Sequence, residues 1–593
     1  MHSSSDTIYS IKRPTLVLLA IVLTLSLLPV LDVYLILRDS WQGILPSFSD
    51  DTLYRARIQN VAEGHLTGGN PYLLEHVDDP PLVIFGGVWI NAIPQLLGLP
   101  ENVALLFNFI LWSLLFALSL QYLFRAVAVP EWMSVVGTVL VYLQSYQHVI
   151  RPANLQTVYP FFFLLYYALW NVLCQQSRKN VLFLGIIFGT TFYLYSYLWQ
   201  TAIITLTLLF LYALMRKNWP LLRAALWATG VGVVIGLPML LYALWLSYSS
   251  PYFWESVYRL GLVNTHLPMA EVMYSGAWIG VVLVLLAVLY WRVQLFREDR
   301  SFARLILFFT VSGLGLWTMQ GSNLVTGKLL ETGEHLSLLI QPWLFFATIS
   351  IGVFVWGRRT QISKELRVCS AVMIVLLLGV SGYYAYPRFS RFLPANVDRG
   401  AWHTQQLYAK PLTWLDETEK NPVVVWSNPH NYLAAMVPTL TKHFSLYAQP
   451  ATFELVSEAE IRERYLVSEY YDNPTLADLK SEEEMELYLG RRDLFHRSAT
   501  IARKIKICRV VFFWDTSKNC GVAPTSVELL GDKFFIDLER TFVNDIKPNI
   551  KAYLAKYHVS YIVKDKLLDT NYQPELLQAV RVYNDDHYEI YKL

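Results

Sequence analysis

From Pro14 to about Pro387 the chain is built of runs of roughly twenty apolar residues carrying few or no charges, separated by short polar connections. A helix rises about 1.5 Å per residue, so roughly 20 such residues cross a hydrocarbon core about 30 Å thick. The runs predict spans near residues 14–37, 102–126, 131–149, 156–174, 180–197, 200–216, 220–246, 272–291, 302–320, 337–356 and 367–387, eleven in all. The remaining third is dense in Lys, Arg, Asp and Glu. The reading is a polytopic α-helical membrane domain over residues 1–390, followed by a soluble α/β domain over residues 391–593.

Basic residues set the orientation. The uncharged run from Val181 to Met215 would be about 52 Å long as one helix, and both of its ends are basic, at Arg178-Lys179 and Arg216-Lys217. Positive loops favour the cytoplasmic side, so the run reads as a hairpin turning near Ser196 to Gln200. Lys12-Arg13, Arg125, "WRVQLFREDRSFAR" from Trp291 and "GRRTQISKELR" from Gly357 then fall on the same side. An odd number of spans places the soluble domain outside, together with the first outer loop (residues 38–101), Ser247 to Val272, and Gly321 to Ser337. The apolar piece "PPLVIFGGVWINAIPQLLGLP" from Pro80 carries Pro94 and Gly86-Gly87, and reads as an interfacial or re-entrant helix. This is a multi-pass protein of the plasma or inner membrane, with a cytoplasmic N-terminus and an extracytoplasmic C-terminal domain. A net charge of only +2 gives no electrostatic footprint for a nucleic acid.

In the soluble third, "PVVVWSNP" from Pro422, "KICRVVFFWD" from Lys506 and "HVSYIVKD" from His558 read as strands, and "AVRVYNDDHYEIYKL" as a hairpin turning at Asn584-Asp585-Asp586. "SEAEIRERYLVSEYY" and "SEEEMELYLGRRDLFHRSATIARK" read as helices, an alternation that suits a doubly wound sheet. No phosphate loop or nucleophile motif follows any strand. Four cysteines show no metal-ligand spacing. Cys174 and Cys369 fall at ends of membrane segments, while Cys508 and Cys520 lie outside, where a disulfide and two buried thiols both remain open.

Chemistry concentrates in the outer loops. In "PSFSDDTLYRARIQNVAEGH", Asp50 reads as the N-cap of a helix starting at Thr52, with Asp51 facing the positive end of its dipole. The same pair, held at the membrane face beside Phe48 and Tyr54, can also serve as a base. A second pair, Asp78-Asp79, precedes Pro80-Pro81 and reads either as a turn or as company for the first. Outer-face cations are His148, Arg151, Arg259, His266, Lys328 and His335. Singly each reads as a headgroup contact, and together they suit a phosphate.

An aspartate pair in the first outer loop, a following helix ending in Glu63-Gly64, an acid before Pro-Pro and a re-entrant segment resemble the GT-C superfamily of membrane glycosyltransferases. "GIIFGTTFYLYSYLWQT" from Gly185 and "RPANLQTVYPFFFLLYYAL" from Arg151 are similar to the middle spans of bacterial members. The resemblance covers most of residues 10–390. It lacks a WWDYG-like motif in the soluble domain, which argues against transfer of a whole oligosaccharide to asparagine. It implies inverting transfer of a sugar from a polyprenyl-phosphate donor to a lipid, glycan or protein acceptor on the outer face. By that resemblance Asp50 is the first catalytic candidate, as base or acceptor-orienting residue, and Asp51 the next, with Asp78, Asp79, Arg151, Arg259, Lys328 and His335 the substrate or phosphate candidates. A divalent cation, Mg or Mn, would fall to Asp50, Asp51 and Asp79. The other function classes are a silent membrane scaffold that presents the α/β domain, and a transporter. Transport is disfavoured by the near absence of mid-span charge.

Overall fold

The computed structural model describes residues 13–47, 51–83, 86–293, 297–390, 399–515 and 517–593. All eleven predicted segments are helical. They are α1 (Arg13–Leu37), α4 (Glu101–Ala126), α5 (Glu131–Val149), α6 (Leu155–Cys174), α7 (Arg178–Leu194), α8 (Ser196–Met215), α9 (Trp219–Ser249), α11 (Ala270–Arg292), α12 (Arg300–Gln320), α13 (Thr332–Gly357) and α14 (Lys364–Ser390). Among the described residues eight are long and apolar enough to cross a membrane: α1, α4, α6, α8, α9, α11, α12 and α13. The chain is thus an integral multi-pass membrane protein by length and composition of its helices. The long uncharged run breaks at Tyr195, whose extended backbone separates α7 from α8.

Shorter helices in this part include α2 (Asp51–Ala62), α3 (Gly86–Leu96) and α10 (Phe253–Arg259). The 11 residues of α3 span about 16 Å, too short to cross a bilayer. Small residues let α7 and α9 approach closely. A Cβ on Gly232 would lie 2.1 Å from the Phe188 ring, and one on Gly189 2.5 Å from Ile235. Such paired small residues are how helices pack where no hydrophobic force drives them together. Elsewhere aromatic rings fill the bundle, with Phe116 stacked on both Tyr159 and Phe163.

The C-terminal third carries, among the described residues, a mixed five-stranded sheet in the order β4-β3-β5-β7-β6. Its members are β3 (Val424–Trp426), β4 (Phe444–Ser445), β5 (Val559–Asp565), β6 (Val580–Asn584) and β7 (Tyr588–Lys592). β4, β3 and β5 are parallel, whereas β7 and β6 form the predicted antiparallel hairpin. Side chains alternate between two cores. Val424, Trp426 and Ile562 enter one, and Val425, Tyr561 and Val563 the other, so both faces of the sheet are covered. Two short strands in connections between the long helices, β1 (Val263–Asn264) and β2 (Lys328–Leu329), pair separately.

Two expectations need correction. "KICRVVFFWD" is not a strand: Lys506 to Val511 end a helix, α17 (Arg492–Val511), which follows α15 (Leu433–Leu440) and α16 (Glu458–Ser468). Its β-branched and aromatic residues raise strand propensity, but Ile507, Val510 and Val511 also fit one face of a helix, and that periodicity prevailed. The long helix read from "SEEEMELYLGRRDLFHRSATIARK" is broken at Gly490, whose φ of 65° no ordinary helix accepts. A disulfide joins Cys508 to Cys520, and Cys174 and Cys369 are free.

Candidate functional site at the seam of the two halves

The membrane and soluble halves meet around α2. Its sequence, DTLYRARIQNVA, is polar, yet ten of its twelve residues are buried. Polar groups remain buried only where they find partners. Arg55 donates to Glu101 at 2.9 Å and to the Leu45 carbonyl at 2.7 Å. Arg57 points the other way, into the soluble domain, and pairs with Glu454 at 2.5 Å with both groups buried. Burial raises the Glu454 carboxyl above its ordinary range, against the pull of Arg57. The Tyr54 hydroxyl accepts a hydrogen bond from Asn154 at 2.6 Å, and the Arg151 guanidinium lies 5.7 Å from the Tyr54 ring centre.

Asp51 opens this helix and is buried. With Arg55 and Gln156 it lines a slot of about 110 Å³ whose apolar walls are Pro29, Val30 and Val33 of α1 and Leu105, Leu106 and Phe109 of α4. An acid at the first helical position is stabilised by the helix dipole and held rigidly. The same turn borders a second space. Thr52 and Leu53, with His430, Asn431, Tyr432, Tyr488 and Arg492 of the soluble domain, line a cleft of about 390 Å³. Tyr432 is within electrostatic reach of Asp51. The first turn of α2 therefore separates an apolar slot between membrane helices from a cleft of mixed polar, aromatic and apolar lining under the soluble domain. Asp50 lies outside the described residues.

A second polar group surrounds His335. Its Nδ1 is 2.7 Å from the Tyr195 hydroxyl, its ring stacks on Tyr197, and its Nε2 is 3.2 Å from Glu331. The other Glu331 oxygen lies 3.2 Å from His496 of α17. Burial alone would raise the Glu331 carboxyl, but its two histidine partners outweigh that and hold it well below the usual carboxylate range. Arg151 and Tyr54 act electrostatically on Tyr195, which links this group to α2. Tyr195 is thus hydrogen-bonded to His335 and within electrostatic reach of Arg151.

The remaining sequence candidates lie elsewhere. Arg259 is buried and donates to the carbonyls of Thr452, Glu454 and Val456, so it ties α10 to the soluble domain, and burial lowers it to about 10. Asp79 is 2.6 Å from His76, which also contacts Glu460 at 3.1 Å. Burial would lower His76, but these two acids prevail and raise it. Arg464 extends the chain from Glu460 to Glu75, completing a latch between the α2–α3 connection and α16. Asp78 meets His65 at the surface, and Lys328 is exposed over the Trp254 ring at 4.4 Å. His266 reaches the Leu324 carbonyl, and His148 is buried in α5. Among the described residues no group of three or more His, Cys, Asp or Glu side chains is placed to hold a metal ion. Asp79 is engaged by His76, away from the residues lining the Asp51 slot.

Sequence reasoning passed over Gln156, Tyr195, Glu331 and His496. Tyr195 and Tyr197 were signalled by the break in the uncharged run, and Glu331 by its place four residues before His335. His496 gave no signal, because it sits in a polar helix far along the chain. Compared with known proteins, the chain matches no family model and no curated protein.

Proposed function

We propose that this protein is an inverting membrane glycosyltransferase that moves a sugar from a polyprenyl-phosphate donor to an acceptor on the extracytoplasmic face. The observation that carries the reading is the placement of Asp51. It is a buried acid fixed at a helix start that lines a slot walled by membrane helices, while its chain neighbours Thr52 and Leu53 line a cleft open to the soluble domain. A polyprenyl tail suits the apolar slot, and an acceptor hydroxyl suits the polar groups of the cleft. The Asp51 carboxylate, with Asp50 beside it in sequence, takes the acceptor proton as the acceptor oxygen bonds to the sugar's anomeric carbon. The bond from that carbon to phosphate oxygen breaks, and the electron pair leaves on polyprenyl phosphate. Arg151 and His335, both within reach of Tyr195, are the residues proposed to receive that charge. Asp79 and Arg259 serve by holding the soluble domain over the site.

The cysteines support the orientation. With eleven spans and an inside N-terminus, Cys174 at the end of α6 and Cys369 near the start of α14 both fall on the cytoplasmic side, where thiols stay reduced. In the same orientation the Cys508–Cys520 disulfide would lie outside, where disulfides persist.

The test is turnover of a panel of polyprenyl-phosphate sugars by the purified protein in nanodiscs, with Asp50→Asn and Asp51→Asn measured separately. Removing a general base costs about 10²–10⁴-fold in rate, and a loss of that size is expected for Asp51→Asn with the fold intact. Full activity in both variants would sink the catalytic assignment. Turnover of no donor would leave the silent scaffold in its place.

A further inference from the structure

The end of α17 carries an exposed apolar surface that the proposed reaction does not use. Val510 is 72% exposed, Phe513 77% and Trp514 67%, and Ile507, Val511 and Phe512 are exposed beside them. The disulfide from Cys508 to Cys520 closes this segment into a loop, and Lys518 caps the Phe512 ring at 5.0 Å. A soluble domain gains nothing in water by displaying so dense an apolar run.

Helix periodicity shows which way the run faces. Arg503 of α17 donates to the Pro268 carbonyl at 2.8 Å, just before the start of α11, and interacts with Glu271 in the first turn of that helix. Four and seven residues further along α17, Ile507 and Val510 share the face of Arg503, with Val511 beside them. So the face that touches the end of α11 is the face that turns apolar once α17 has passed beyond it. α11 is long and apolar enough to cross the membrane, and its own first turns expose Met273 and Tyr274. Lys504, Lys506 and Arg509 are exposed around the apolar stripe, a pattern that suits anionic head groups.

We propose that the disulfide-closed tip of α17 is an interfacial anchor, with Ile507, Val510, Phe513 and Trp514 inserted among the lipids of the leaflet on the soluble domain's side and its lysines and arginine on the head groups. Aromatic residues favour that depth, where an apolar body and a polar rim are both satisfied. The anchor fixes the soluble domain to the bilayer at a point far in sequence from the seam at α2. It holds whichever reaction the protein performs.

A diazirine-bearing phenylalanine analogue placed at Phe513 of the full chain in nanodiscs containing anionic lipid tests this. Leu567, which is 81% exposed on the same domain, serves as the control. The expected result is at least about ten-fold more lipid adduct from position 513 than from position 567, by mass spectrometry. Equal adduct at the two positions overturns the anchor. Predominant cross-links from position 513 to protein also overturn it, in favour of a protein partner or a second copy. If the analogue at 513 prevents folding, the same comparison is made from Val510.

Discussion

α1 and α2 reverse the usual rule of protein interiors. α1 is apolar over 25 residues, yet only seven of them are buried. α2 is polar, yet ten of its twelve are buried. In water the first would be hidden and the second displayed. The contrast separates two solvents. Lipid solvates the apolar outer surface of α1 without any cost to exposure. Protein solvates α2, through Glu101 on one side, Glu454 on the other and Asn154 below. A helix of mixed charge kept dry in this way is an expensive construction, and its position between slot and cleft is the reason to look for chemistry there.

The contrast can be broken by substitution. Arg57→Met leaves Glu454 buried without its partner, and loss of one member of a buried pair costs about 3–5 kcal/mol. Because burial already raises Glu454, proton uptake limits the loss, so a value near the lower end is expected, read as a fall in the unfolding midpoint. Adding Glu454→Leu to the same protein is expected to recover most of it, since two apolar residues need no pairing. At the other extreme, Leu31→Ala on α1, where Leu31 is half exposed, is expected to change stability by no more than about 0.5 kcal/mol in a bilayer. A Leu31→Ala loss as large as that of Arg57→Met would mean that α1 is covered by protein and not by lipid.

Much of the membrane half was legible because one physical length, the bilayer thickness, decides it. Every predicted span is a helix, with boundaries displaced by a few residues at most except at α13, which begins five residues early, at Thr332. Local turn chemistry was legible too: Asp585 accepts from the backbone of His587 and Tyr588 in the predicted hairpin. The strand expected at Lys506 failed because propensity and periodicity disagreed there and the sequence offers no arbiter between them. The seam was illegible for a different reason. Arg57 and Glu454 are 397 residues apart and Glu331 and His496 165, and nothing local marks either pair as partners. Asp51 was legible as a helix-start acid at the membrane face. Its slot was not, because α1, α4 and α2 enclose it only when packed.

The central claim is that this slot holds a lipid-linked sugar with Asp51 at its polar end. Thermal unfolding of the protein in the presence of a polyprenyl-phosphate sugar, compared with Leu105→Trp, tests it most directly. The larger indole of that variant would fill the slot from the α4 wall, while Asp51→Asn leaves the slot open. A ligand at 100 times its Kd stabilises the folded state by about 2.7 kcal/mol. The account predicts that the donor raises the unfolding midpoint of the wild type and of Asp51→Asn but not of a folded Leu105→Trp. An equal rise in Leu105→Trp, or no rise with any donor, would contradict it.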